Sequence, residues 1–374
     1  MTPTEPECPA GPEEEQSAGT APCGLAERIT GALVGAAVGD ALGGPVEGYG
    51  PERIAERHGG RVHGVVGSWH GDARRTARPI APYRKGDGHV TDGTLTTHAP
   101  VRVHARVRDH LDAYAVADRL VPDLMTNPRD AGVGNNVIGN IINCGAAMYM
   151  TPVGLVDAAN PAAAYAEAPD IAGAHQSSYG REAAGVPAAA VAAATTPGAT
   201  PDAVVTVCPT LAKDGTREAI ENVCEVARVH RDFESALRPL RAAVAPYDTV
   251  GPDHRAPAPA ARRSSRLHAV EELPIVLGLL PVSGGGKRHA VLGAVNYGRD
   301  CASIATMAGA LAGALGSPVP QDRAKTVAGA SRLGLWATAR TLNEVTREIF
   351  GRFVRRRRAH ERAFAAHGGC ACSD

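Results

Sequence analysis

Residues Ile304 to Leu315 contain only alanine, glycine, leucine, isoleucine, methionine and one threonine. Almost nothing on this stretch projects far from the backbone. A helix so slim buries on every side, because neighbouring helices approach its main chain closely. Just before it come Gly298-Arg299-Asp300-Cys301-Ala302-Ser303. Gly298 supplies backbone freedom for a turn, Asp300 has the chemistry of an N-cap, and Ser303 follows three residues on. The spacing therefore predicts a central buried helix with an acid and a hydroxyl at its N-terminus. A buried acid needs a partner, and there the partner is the backbone or a metal.

The remaining chain is consistent with helices around such a core. It has 374 residues, of which aromatics are 4%. The formal net charge is zero, which gives no electrostatic case for nucleic acid. The eight cysteines are scattered, and Cys144, Cys224 and Cys301 fall within apolar or helical patterns, as reduced core cysteines do. A leader pattern and an apolar run of about 18 residues are both missing from the pattern. The expectation is a cytoplasmic monomer without a membrane partner.

Residues 1–23 are rich in Pro, Glu, Gly, Ser and Thr and read as a disordered tail. Residues 24–353 read as one helical domain, and 354–374 as a basic disordered tail. The first helix spans Leu25 to about Leu42 and ends in Asp40, Gly43, Pro45 and Glu47. Acids at a helix C-terminus oppose its dipole, and a cation is one compensation. Residues 48–90 read as a long functional or disordered connection. Thr91 or Asp92 caps a helix to about Asp118. Asn143-Cys144-Gly145-Ala146-Ala147-Met148 joins turn chemistry to small residues, and a glycine-containing turn at a helix start can hold a phosphate with backbone N–H groups. Residues 160–195 read as two helices, followed by helices at about 201–213, 215–230, 270–280, 321–333 and 340–353.

Two acid–hydroxyl clusters thus mark two helix starts, Thr91-Asp92 with Thr94 and Asp300 with Ser303. Hard oxygens of this kind suit Mg²⁺ or Ca²⁺. Taken alone, the spacing favours reading Asp92 and Asp300 as plain N-caps worth about 1 kcal/mol each. Cys144 and Cys301 read as packed thiols rather than nucleophiles. Glu271 and Glu272 read as first-turn acids favouring a helix dipole. His175 on its own reads as an ordinary satisfied histidine.

Three ordered motifs resemble the ADP-ribosylglycohydrolase family: Gly35-Ala36-Ala37-Val38-Gly39-Asp40-Ala41-Leu42-Gly43 with Pro45 and Glu47; Thr91-Asp92-Gly93-Thr94; and Gly298-Arg299-Asp300-Cys301-Ala302-Ser303 with Gly309 and Gly313. The resemblance spans about residues 26 to 335. It implies a compact all-α fold, a multi-helix bundle around the small-residue helix. It also implies one or two Mg²⁺ ions and hydrolysis of an ADP-ribosyl or related N/O-ribosyl bond, with ADP-ribose or an ADP-ribosylated substrate as partner. By position, Thr91, Asp92, Asp300 and Ser303 are the implied metal ligands. Glu47, Asp92 and Asp300 are the implied catalytic acids, with Glu47 the general base. Asn143, Gly145, Ala146 and Met148 match the phosphate turn, and His175 and Ser177 line the ADP-ribose pocket.

The sequence departs from that pattern at two metal ligands. Gly93 and Ala302 stand where aspartates are expected, and the second of these normally bridges two ions. Alternative readings are a catalytically inactive ADP-ribose-binding pseudoenzyme and a structural or partner-binding protein on the same fold. Restoring both aspartates is expected to raise Mg²⁺ affinity and any hydrolysis.

Overall fold

A computed structural model describes residues 23–67, 86–126, 144–247, 269–284 and 286–367. Among these the fold is all-α, with no strand and one isolated bridge, Gly67 to Gly86. The organising pair is α1 (Leu25–Gly43) and a helix of the same slim composition, Cys301–Ala314. They run antiparallel and make the most extensive helix–helix contact in the molecule.

Glycine placement explains the closeness of that pair. A Cβ on Gly31 would lie 2.7 Å from the Gly313 carbonyl oxygen, and one on Gly43 would lie 2.5 Å from that of Cys301. Cβ atoms on Gly309 and Gly39 would collide with the carbonyls of Gly35 and Ala305. Each step of four along one helix meets a step of four back along the other. Glycine on the facing stripes lets the two backbones touch. The consequence for function is positional: the loop after α1 must sit beside Asp300.

Two backbone hydrogen bonds fix that meeting, Gly48 N to Arg299 O at 2.6 Å and Arg299 N to Tyr49 O at 2.7 Å. Gly298 has φ of 76° and its absent Cβ would overlap the Tyr49 carbonyl, so only glycine fits. Arg28, buried at the other end of α1, donates to the carbonyls of Ala314 at 2.8 Å and Ala194 at 3.0 Å. A cation there satisfies two helix C-termini.

The other helices follow in order: α2 (Pro51–His58), α3 (Asp92–Val107), an irregular helical run over 113–126, α4 (Thr151–Val156), α5 (Pro161–Ala172), α6 (Ser178–Ala183), α7 (Gly185–Ala194), α8 (Pro201–Leu211), α9 (Asp214–Ala227), α10 (Phe233–Val244), α11 (Ala269–Val282), α12 (Lys287–Tyr297), α13 (Cys301–Ala314), α14 (Gln321–Ser331) and α15 (Leu335–Ala365). Leu25–Val46 is long and apolar enough to cross a membrane, but 94% of that window is buried inside the protein.

Several expectations change. The connection over 48–90 contains α2, which begins at Pro51 and closes on Gly59 in the left-handed region. The helix starting at Asp92 ends at Val107, where Arg108 adopts φ of 59°. α10 was not expected; Pro239 sits inside it with Phe233, Ala236, Leu237, Leu240 and Val244 buried. The basic segment expected as a tail from 354 is helical to Ala365, a continuation of α15 that carries Arg355 to Arg358 exposed. An uninterrupted run of helix-forming residues and the Arg357–Glu361 pair at i,i+4 favour that extension.

Candidate active site

The two acid turns meet around α1. Asp40, fully buried, accepts from Thr91 N at 2.9 Å, Thr94 N at 2.8 Å, Thr94 Oγ1 at 2.6 Å and the Thr91 hydroxyl. The acid that opposed its own helix dipole is thus held by the N-terminus of α3. Of the compensations open to that conflict, the one present is the backbone of the Thr91 turn rather than a cation. Burial pushes the Asp40 carboxyl above its usual range, and these four hydrogen bonds pull it back.

Thr91 is the N-cap of α3, its hydroxyl accepting from Gly93 N. That leaves Asp92 as the first helical residue, not the cap. Asp300 occupies the N-cap position of α13 but makes no side-chain cap. The plain-cap reading therefore fails for both acids. Instead Asp300 Oδ2 accepts from Cys144 Sγ at 2.9 Å. Burial, Glu47 and Asp92 push Asp300 up to about 7. Burial, Glu47 and Asp40 push Asp92 up to about 6. Glu47 and Asp92 are half-buried, and Asp300 is buried. Glu47 thus raises the proton affinity of both Asp92 and Asp300, and among the described residues the leading charged groups acting on the two acids are themselves carboxylates.

The turn 144–149 completes the site. Ser303 Oγ donates to Met148 Sδ at 3.5 Å, and Thr97 Oγ1 donates to Gly93 O at 2.7 Å with Met148 O at 3.5 Å. Gly145 and Ala146 are buried within it. Asn143 lies outside the described residues. His175, 3% exposed, stacks on Tyr149 with ring centroids 5.9 Å apart and planes 10° apart. Ser177, the N-cap residue of α6, is half-buried two positions on.

Two contributors were missed in the sequence. Glu272 is buried, and one of its carboxylate oxygens lies within 4.8 Å of both Cys144 Sγ and an Asp300 oxygen. Its signal was an acid in an otherwise apolar helix. Glu271 is likewise no simple dipole acid: it is buried, pairs with Arg299 at 2.6 Å and accepts from Tyr297 at 2.8 Å beneath the Asp300 turn. Cys144 does have a carboxylate beside it. Burial first, then Asp300 and Glu272, push its thiol well above the usual range, so it stays a protonated donor rather than a nucleophile.

The donor set decides how a divalent cation fits. Glu47, Asp92 and Asp300 are mutually repelling oxygens that one hard cation would neutralise. A second ion finds no aspartate at 93 or 302. Gly93 also has little space: a Cβ there would lie 2.8 Å from Thr306 Oγ1 and 3.2 Å from Asp40 Oδ1. Gly93→Asp is therefore expected to lower the denaturation midpoint by overpacking of about 1–3 kcal/mol, aggravated by charge beside Asp40. Any gain of cation affinity in the Gly93→Asp/Ala302→Asp pair comes with that loss. A Gly93→Asp midpoint equal to the parent's would contradict the crowding.

The fold and the order of the acid turns define one class of all-α protein. The ADP-ribosylglycohydrolase family pattern matches residues 22–358, and the chain belongs to that family. A solved structure titled ADP-ribosylglycohydrolase-related protein complex is similar over 86% of this chain and 99% of its own, with a TM-score of 0.57 and 21% identity; at that identity the likeness is one of fold. No curated protein matches the chain.

Proposed function

We propose that this protein hydrolyses an ADP-ribosyl or related ribosyl N- or O-glycosidic bond, assisted by one divalent cation such as Mg²⁺. The observation that carries this reading is the convergence of Glu47, Asp92 and Asp300: among the described residues the leading charged groups that raise the proton affinity of Asp92 and Asp300 are carboxylates, Glu47 first. Those three would hold the ion, with Ser303 and the Thr91 hydroxyl beside them. When bound, the ion supplies Lewis acidity and a template for the sugar hydroxyls.

The residues themselves do the following. The turn Gly145-Ala146-Met148 presents backbone to a diphosphate. His175, held flat against Tyr149, forms one wall for the nucleotide part of the substrate. Glu47, half-buried on its loop, takes a proton from water attacking the anomeric carbon. The carboxylates of Asp92 and Asp300 stabilise the positive charge that grows on the ribose in an oxocarbenium-like transition state. Asp40 keeps the Thr91 turn in place.

A second reading, binding without turnover, is favoured by glycine and alanine at 93 and 302, which remove two carboxylates from the site. Calorimetry with ADP-ribose, with and without Mg²⁺, separates the two. Hydrolysis predicts binding that tightens with Mg²⁺. Metal-independent binding supports the second reading, and no heat in either condition sinks both.

A further inference from the structure

At the far end of α3 a second group of ligand-type side chains comes together. His110 follows α3, Asp157 caps the C-terminus of α4, and Glu167 lies on α5. His110 Nδ1 is 2.6 Å from Glu167 Oε2 and 4.0 Å from Asp157 Oδ2. All three donor atoms lie within 4.8 Å of one another. Asp157 is 8% exposed, and its Oδ2 is buried, makes no hydrogen bond and faces the cluster. The other Glu167 oxygen accepts from Leu111 N at 2.9 Å, which orients the carboxylate.

We propose that His110, Asp157 and Glu167 form a binding site for a divalent transition-metal cation of zinc-like preference, separate from the carboxylate trio. The donor chemistry selects the ion. One imidazole with two carboxylates suits Zn²⁺ or Co²⁺, whereas Mg²⁺ takes oxygen and water. His110 Nδ1 and Glu167 Oε2 are hydrogen-bonded at 2.6 Å, so a zinc ion, with bonds of about 2.0–2.2 Å, would replace the shared proton and widen that pair. His110 is 42% exposed and opens the site to solvent, leaving room for a water ligand. His104, wholly buried nearby, donates from Nδ1 to Asp109 O at 3.0 Å, and its Nε2 makes no hydrogen bond.

The site would tie together elements that carry the candidate active site at their other ends. α3 begins with Thr91 and Asp92, and α4 follows the turn 144–149. A cation here is therefore a clamp on the scaffold, and it stands whether or not the chain is a hydrolase.

The test is calorimetric titration of the full chain with Zn²⁺ in excess Mg²⁺, repeated with Asp157→Asn and His110→Ala. One wild-type site is expected to weaken by at least about 100-fold in each variant, since even supporting residues commonly contribute 10- to 100-fold. Co²⁺ at that site should show ligand-field bands without a thiolate charge-transfer band, which separates it from any cysteine site. Equal Zn²⁺ binding by parent and both variants would overturn the proposal. So would no Zn²⁺ uptake by the parent, which would leave the two acids sharing a proton instead.

Discussion

Gly309→Ala should destabilise the protein by about 3 kcal/mol or more, whereas Gly329→Ala should leave it unchanged or slightly more stable. Helix propensity alone predicts the same gain of up to about 1 kcal/mol for both, because each glycine lies inside a helix. Packing separates them. The added methyl at 309 collides with the Gly35 carbonyl on α1, while the one at 329 meets nothing within 4 Å. Overpacking ordinarily costs about 1–3 kcal/mol, and here the obstacle is backbone, which has no alternative rotamer. The collision also falls on the seam that places Glu47 beside Asp300, so cation binding should weaken together with stability. Denaturant midpoints of the two variants check this directly. A shift of the same sign in both would mean that α1 and α13 are not in backbone contact.

The second large effect is a reversal of sign at Asp300. Its folded-state affinity for a proton is raised, to about 7 from 3.8. The native protein therefore holds a proton that the unfolded chain releases between about pH 4 and pH 7. Stability from this group is fully present below about pH 4 and is lost as pH rises through about 7. Asparagine at 300 carries no such penalty. Without a divalent cation, Asp300→Asn should be the more stable protein at pH 8, by an amount on the order of 4 kcal/mol. The gap should shrink as pH falls towards 4. With saturating Mg²⁺ the order should invert, because the ion stabilises only the carboxylate. Melting curves at pH 5 and pH 8, with chelator and with Mg²⁺, give four comparisons. An Asp300→Asn variant that is less stable than the parent at pH 8 in chelator would contradict a buried carboxylate whose proton affinity is raised.

What could be read in the sequence was mostly local. The slim helix 301–314, the glycines of α1 and the order of the acid turns carried the fold class, because small residues at every fourth position have few other uses. Glycine at 298 and the acid–hydroxyl spacing carried the turn itself. What could not be read depended on which chain ends meet. Asp40 at the end of one helix resembles a site in need of a cation until the N-terminus of α3 is found against it. Cys144 and Asp300 are 156 residues apart, and their contact has no trace in spacing. Glu272 differs from Glu271 only in which way the helix turns it, one towards Asp300 and the other towards Arg299. Local signals were also underweighted. Pro51 and Gly59 bracket α2 in the usual asymmetric manner. Asp232 caps Ser235 at the start of α10, where Pro239 reads as a breaker although the surrounding residues bury it as a helix.

The relation between the two proposed cation sites follows from the same geometry. The carboxylate trio is built where three elements begin or end together around α1. The His110 group lies where α3, α4 and α5 finish or turn. Chemistry at the first site and rigidity at the second would be carried by the same two elements, and they are separable by ion: Mg²⁺ for oxygen ligands, Zn²⁺ for the mixed set.

The most direct measurement is release of free ADP-ribose from ADP-ribosylated arginine, serine and small-molecule acceptors, by the intact protein, in Mg²⁺ and in chelator. Release that requires Mg²⁺ and disappears in Asp300→Asn is the predicted result. Release that is equal in chelator, or none from any acceptor in Mg²⁺, would contradict a cation-assisted hydrolase.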